Sequence, residues 1–236
     1  MNDDNPQLNC LTCNARATSI FSETTTGDLA VLSDSKTCRH LKRGDIVYSE
    51  GAVPHGVFCI HQGTVKILRT GESGREGILR LVKEGGVLGY RSLLSGEEYD
   101  NTAVALEDSR ICFIPRSHFV DLISKRPELS SKVLALLSNE LKNAEERLID
   151  VAQKPLIERV AESLLLLLQS FGYADDQQTI DLDITREELA GIVGAVPEST
   201  IRALSKLKSE GLIDVRRRHI SILDRRGLAD VANLPV

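Results

Sequence analysis

The sequence predicts an α+β chain: an N-terminal β-barrel of the jelly-roll kind, a long helix, and a C-terminal winged helix-turn-helix. Three observations predict it. Short Val-, Ile- and Leu-rich segments bounded by Gly, Asp, Ser or Pro follow one another between Thr37 and Pro115, the texture of an antiparallel jelly-roll. From Leu134 the apolar period changes from two to about three and a half, as in a helix with a packing seam. The stretch "TREELAGIVGAVPESTIRALSKLKSEG", Thr185 to Gly211, breaks at Gly194 between two helical patterns, and a basic hairpin pattern follows.

The 236 residues suffice for one large or two small domains. Apolar residues make up 42% and charged residues 27%, the balance of an ordinary soluble globule. The longest apolar run, Leu164–Leu168, is too short to span a bilayer. The polar, acidic opening Met1–Asn9 does not read as a signal peptide. The expectation is a cytoplasmic protein without a membrane partner. A net charge of -5 argues against nucleic-acid binding by the surface as a whole, so charge is read by segment. Five cysteines, an odd number, argue against a secreted disulfide framework.

Residues 1–26 read as a leader carrying Cys10 and Cys13. Residues 27–127 read as the barrel, with strands in "DIVYSEG", "GVFCIHQGTVKILRT", "GILRLVKEGGVLGY" and "NTAVALEDSRICFIP". A helix over Arg116–Lys125 then ends near Pro127. Residues 128–154 read as a dimerisation helix. Leu134, Leu137, Leu141, Ala144, Leu148 and Val151 recur at spacings of 3, 4, 3, 4 and 3, with charged flanks on the other faces, which favours burial against a second helix. Pro155 ends or kinks it. Residues 155–236 form the last domain, entered through an amphipathic helix over Leu156–Gln169 and the loop "GYADDQQ".

In that domain Thr185 is an N-cap and Glu188 completes a capping box. Gly194 ends the helix, because glycine takes the left-handed turn without a steric penalty. Pro197 suits a first helical position. The second helix turns Leu204 and Leu207 to the core, leaves Ile201 between core and solvent, and projects Glu198, Ser199, Arg202 and Lys206 outward. An acceptor, a hydroxyl and a bidentate donor on a helix are the groups that read base edges in a major groove: Arg202 suits guanine, Glu198 cytosine. A solvated Glu–Arg pair would leave the same pattern. The sequel "LIDVRRRHISILD" decides between them. It reads as a wing whose tip, Arg216, Arg217 and Arg218, meets backbone phosphate. Between Ala195 and Arg226 there are eight Lys and Arg against four Asp and Glu, in an acidic chain.

With these elements in this order the sequence resembles the Crp/Fnr family of bacterial transcription regulators, over nearly the whole chain. The resemblance rests on "RGDIVYSEG", "FCIHQGTVKI" and "GGVLGYRSLLSG", which look like the family's cyclic-nucleotide-binding fold, and on "VPESTIRALSKLKSEGLI" for the DNA reader. It implies a homodimer on a palindromic site in double-stranded DNA, DNA-reading roles for Glu198 and Arg202, which match the family's Glu and Arg positions, and contact with RNA polymerase; Thr185, Ser199, Ile201 and Lys206 are the further candidate DNA contacts beside them.

It also frames the signal. The family's effector pocket would fall at Gly89, Tyr90, Arg91, Asn101 and Thr102. The Gly-Glu and Arg-Ser/Thr pairs of its cAMP-binding members read Gly89-Tyr90 and Asp100-Asn101 here, and their Thr-Ser pair reads Ala144-Glu145. Asp100 would repel a phosphate, which argues against cAMP and leaves another small ligand open. Cys10, Cys13 and Cys112 match three of the four iron–sulfur ligand positions of the oxygen-sensing Fnr branch, and the fourth falls at Ser19. The resemblance therefore offers an iron–sulfur cluster or redox thiols at Cys10, Cys13 and Cys112, with Cys38 or Cys59 as the remaining donor. The contrary reading makes Cys59 and Cys112 buried strand residues. An enzyme is not indicated: His55 and His61 lack the spacing of a metal dioxygenase, and no phosphate-binding loop or nucleophile elbow occurs.

Overall fold

A computed structural model describes residues 8–72 and 74–234. Two compact units divide the chain: residues 1–74 with 79–141, and residues 75–78 with 142–236. The division falls inside a helix and not at its ends.

Ahead of the long helix the described residues hold eight strands: β1 (Thr37–Leu41), β2 (Ile46–Tyr48), β3 (Gly56–Gln62), β4 (Val65–Thr70), β5 (Glu76–Val82, whose first three residues are counted with the second unit), β6 (Val87–Leu88), β7 (Thr102–Ala105) and β8 (Ser109–Pro115). They form two four-stranded sheets, β1-β8-β3-β6 and β2-β7-β4-β5. This is a jelly-roll of two sheets, and no closed barrel forms among the described residues. Successive strands β3 and β4 belong to different sheets, so the chain builds two layers instead of one continuous ring. Alternation along β3 explains the packing. Phe58 and Ile60 join the core between the sheets, with Tyr48, Val65, Leu88 and Tyr99. Val57 and Cys59 face the other way, into a second core with Leu32, Phe119 and Val133.

Two 3-10 turns, Cys10–Thr12 and Asn14–Thr18, and helix α1 (Thr26–Ser35) occupy what the sequence predicted as leader and domain start. Thr25 caps α1 by accepting from the Asp28 amide. Two further helices follow, α2 (Tyr90–Ser95) and α3 (Arg116–Lys125), the latter with the predicted bounds. The long helix α4 runs from Pro127 to Gln153.

The second unit holds α5 (Leu156–Phe171), α6 (Arg186–Val193), α7 (Pro197–Ser209), the hairpin β9 (Ile213–Arg216) and β10 (His219–Ile222), and α8 (Arg225–Val231), a helix the sequence did not predict. Helix α5 is the hub, packing against α6, α7 and α8. Its Val160, Ala161 and Leu164 are fully buried, as are Leu189 of α6, Leu207 of α7 and Leu228 of α8.

Candidate functional site

Helices α6 and α7 are set by local chemistry. Thr185 Oγ1 accepts from the Glu188 amide at 3.1 Å, and Glu188 Oε2 accepts from the Thr185 amide at 2.9 Å. The two ends of this box satisfy donors that a helix start leaves open. Gly194 takes φ +65°, and the next residue's amide donates to Ala190 O at 3.0 Å. Pro197 then opens α7 at its first turn. Leu204, Leu207 and Thr200 are buried, while Glu198, Ile201, Arg202 and Lys206 are exposed. Ile201 thus lies on the open face. Ser199 is half-buried, and Arg202 Nη2 donates to its Oγ at 2.8 Å. No ion pair joins Arg202 to Glu198 among the described residues, so the solvated-pair reading of this helix is not what the side chains do.

The wing follows as β9 and β10, paired from His219 opposite Arg216 to Ile222 opposite Ile213. Arg217 sits in the turn with φ +53°, and Arg216, Arg217 and Arg218 are exposed. One acid organises the base of the wing. Asp214 takes Lys208 Nζ of α7 on Oδ1 and Arg216 Nε on Oδ2, both at 2.7 Å. The Lys208 and Arg216 hydrogen bonds lower the Asp214 carboxyl to about 2. A depressed folded-state value means that the clamp's stabilisation is complete above the unfolded value of about 3.9 and fades as pH falls through about 2. The NMR titration of Asp214 is expected to centre near pH 2 and to move upward in Lys208→Ala.

Two arginines that sequence reasoning missed hold the carboxyl end of α6. Arg147 Nη2 of α4 donates to Ile192 O at 2.7 Å, and Arg159 Nη1 of α5 donates to Val193 O. Cations suit the negative end of a helix. No local signal announces them, since the partners lie 45 and 34 residues away.

The predicted seam of α4 faces solvent within one chain: Leu134 is 63% exposed, Leu141 62% and Leu148 72%. Val151 and Ala144 are exposed beside them, and Leu137 is half-buried.

The residues expected to form an effector pocket lie on and around α2 and β7, against a filled interior. Gly89 caps α2 with φ +78°, and Tyr90 is buried. Tyr48 and Tyr99 stack with centroids 4.0 Å apart, and Phe58 stacks on Tyr48 at 5.8 Å. The Tyr48 hydroxyl donates to buried Asn101 Oδ1 at 2.9 Å. Arg91 pairs with Asp100 at 3.0 Å, and Thr102 Oγ1 accepts from the Glu50 amide at 3.1 Å.

The cysteines meet elsewhere in the first unit, on the outer face of the sheet. In β1, β8 and β3, Cys38, Cys112 and Cys59 stand in register on neighbouring strands. Cys38 and Cys112 form a disulfide, with Cα atoms 4.0 Å apart. The leader lays Cys10 and Cys13 over this row, so Cys10, Cys13, Cys59 and Cys112 line one cavity of about 50 Å3. Cys13 Sγ lies 3.3 Å from His61 Nδ1. Burial pushes the Cys59 thiol up to about 12, with Cys10 and Cys13 adding to the rise. Burial lowers the His61 imidazole below its ordinary range, with the Glu84 carboxylate opposing the shift.

These residues do not fit an iron–sulfur cluster as they stand. Such clusters take four thiolates. Cys112 is spent in the disulfide, and Ser19 Oγ accepts from the Phe21 amide at 3.2 Å. Among the described residues no three His, Cys, Asp or Glu side chains are placed to hold one metal ion. No described helix is long and apolar enough to cross a membrane.

Comparison with known proteins agrees with both units. Residues 38–126 match the cyclic nucleotide-binding domain, and residues 158–231 match the Crp-like helix-turn-helix domain. The chain is 27% identical to the fumarate and nitrate reduction regulatory protein of Vibrio cholerae, over 82% of this chain and 78% of that one. It is 29% identical to the CRP-like cAMP-activated global transcriptional regulator of Mycobacterium tuberculosis, over 89% of this chain and 94% of that one. Among solved structures, a CRP/FNR-family transcriptional regulator from Thermus thermophilus superposes with a TM-score of 0.72 at 28% identity, covering 84% of this chain and 98% of that one. With a cyclic nucleotide-binding domain followed by a Crp-like helix-turn-helix domain, the chain belongs to the Crp/Fnr family of transcription regulators, not to the enzymes.

Proposed function

We infer that the protein works as a homodimer that binds a palindromic DNA site in the cytoplasm and meets RNA polymerase there, under a redox or oxygen-related signal taken in by its N-terminal half. The observation that carries the DNA reading is the division of α7, with Leu204 and Leu207 buried on one side and Glu198, Arg202 and Lys206 exposed on the other. Arg202 needs only to leave Ser199 to offer its fork to guanine O6 and N7, and Glu198 accepts from cytosine N4. Arg216, Arg217 and Arg218 supply phosphate contacts. The exposed Leu134, Leu141 and Leu148 supply a two-fold seam, and two-fold symmetry sets the two α7 helices about 34 Å apart in successive major grooves.

Relatives differ in what their names say controls them, one being cAMP-activated. In this chain the Arg91–Asp100 pair and the stacked tyrosines argue against a cyclic phosphate, and the gathered thiols argue for oxidation. The signal is tested by operator affinity measured under anaerobic reduction, in air, and with cAMP. Affinity that rises with cAMP and ignores oxidation overturns the redox reading. The DNA reading is tested by Arg202→Ala. The variant is expected to lose about 1–3 kcal/mol on the specific site, roughly 5- to 150-fold, with non-specific binding little changed. Equal weakening on all sequences would show that Arg202 touches only phosphate.

A further inference from the structure

The thiol cavity carries a charge imbalance. Lys36 lines it at 8% exposure, and Arg16 lines it with Nε buried and without a hydrogen-bond partner. Neither side chain has an acidic partner among the described residues, and no carboxylate lines the cavity. A buried cation demands counter-charge. Both cations lie around the space that Cys10 and Cys13 share, and Glu84 acts on His61 from outside the lining.

We propose that Cys13 is a thiol that reacts with hydrogen peroxide and that Cys10 is its resolving partner, so that oxidant is recorded as a Cys10–Cys13 disulfide. This rests on the redox reading given above and supplies its chemistry. The other thiols are poorly suited. Cys59 is held protonated by burial, and Cys112 is bonded to Cys38. Cys13 has His61 Nδ1 at 3.3 Å as a proton acceptor, with Lys36 and Arg16 around the same space. Cys10 lines that space across one 3-10 turn, and its backbone amide is tied to Ser33 Oγ at 3.2 Å. A cavity of about 50 Å3 accepts a molecule the size of one or two waters. Hydrogen peroxide fits a space of that size.

The steps balance. The Cys13 thiol gives its proton to His61, and the thiolate attacks one peroxide oxygen. An S–O bond forms and the O–O bond breaks. The departing hydroxide takes the proton back from His61 and leaves as water, with Cys13 now a sulfenic acid. The Cys10 thiol then displaces the hydroxyl from Cys13, forming the S–S bond and a second water. Two electrons pass from the two sulfurs to the one peroxide.

The test uses the full-length protein, reduced and then exposed to hydrogen peroxide, with thiols mapped by alkylation and peptide mass spectrometry. One peroxide is expected to disappear per chain as Cys10 and Cys13 become resistant to alkylation. In Cys10→Ser, dimedone is expected to label Cys13. In Lys36→Met, which keeps the buried stem, consumption is expected to slow severalfold. Peroxide consumption by Cys13→Ser at the wild-type rate, or a dimedone adduct on Cys59 in place of Cys13, overturns the proposal. So does protein purified without oxygen that carries iron and sulfide at Cys10 and Cys13. Operator affinity is measured separately on the oxidised protein. If it ignores a fully formed Cys10–Cys13 disulfide, the redox control of DNA binding fails while the thiol chemistry stands.

Discussion

Replacing Leu141 and Leu148 together by glutamate is expected to turn the proposed dimer into a monomer. Both side chains are well exposed on one chain, seven residues apart, and share a stripe with Leu134. In a symmetric pair of α4 helices that stripe meets its own copy. The substitution then buries four carboxylates against apolar neighbours, and each isolated charge costs several kcal/mol unless it finds a partner. A rise in the dimer dissociation constant of about a thousandfold or more is expected, equivalent to about 4 kcal/mol. Sedimentation at micromolar concentration reads it directly. Operator affinity should fall with it, because a single α7 can occupy only one half-site. A doubly substituted protein that still sediments as a dimer places the interface elsewhere.

The second large effect is structural. Leu164 is fully buried on α5, the helix against which α6, α7 and α8 all pack. Leu164→Ala removes buried methyl groups and leaves a cavity at the point where those helices meet. The expected loss is about 2–5 kcal/mol. Against a typical domain stability of 5–15 kcal/mol, that is a large fraction of the whole. Calorimetry should show the transition of the second unit lowered, while the transition of the first unit stays in place. Loss of both transitions together would show that the two units unfold as one.

The DNA-reading half was legible because its signals are local. Thr185 and Glu188 lie within one turn, Gly194 and Pro197 are punctuation that backbone geometry requires, and Arg216 to Arg218 form a contiguous run. The α4 seam was legible for a related reason: a heptad stripe is a one-dimensional pattern, and here it stays exposed along one chain. The first unit was legible only in outline. Its strands could be counted, but their pairing joins residues far apart. Nothing in the sequence sets Cys38 opposite Cys112 with Cys59 beside it, because that depends on the register of β1, β8 and β3. The short helices α1 and α8 escaped for want of a long apolar period, although Thr25 and Asp224 cap them in the ordinary way. No sequence pattern singles out Lys36 or Arg16. Their isolation from acids is a property of the folded chain.

The stacked aromatics inside the jelly-roll have a consequence for any compound that targets this regulator. Tyr48, Tyr99 and Phe58 occupy the interior themselves, and the Tyr48–Asn101 hydrogen bond locks one of them in place. A molecule entering there competes with the protein's own side chains before it competes with water. Expelling one large aromatic costs about 3–5 kcal/mol, as truncating one does. That is roughly two to three and a half decades of affinity. A ligand whose own contacts would give micromolar binding would register only near millimolar. Screens against this fold that select on affinity alone would therefore pass over compounds that fit the interior well, and trimming Tyr99 to a smaller residue would bring them into view.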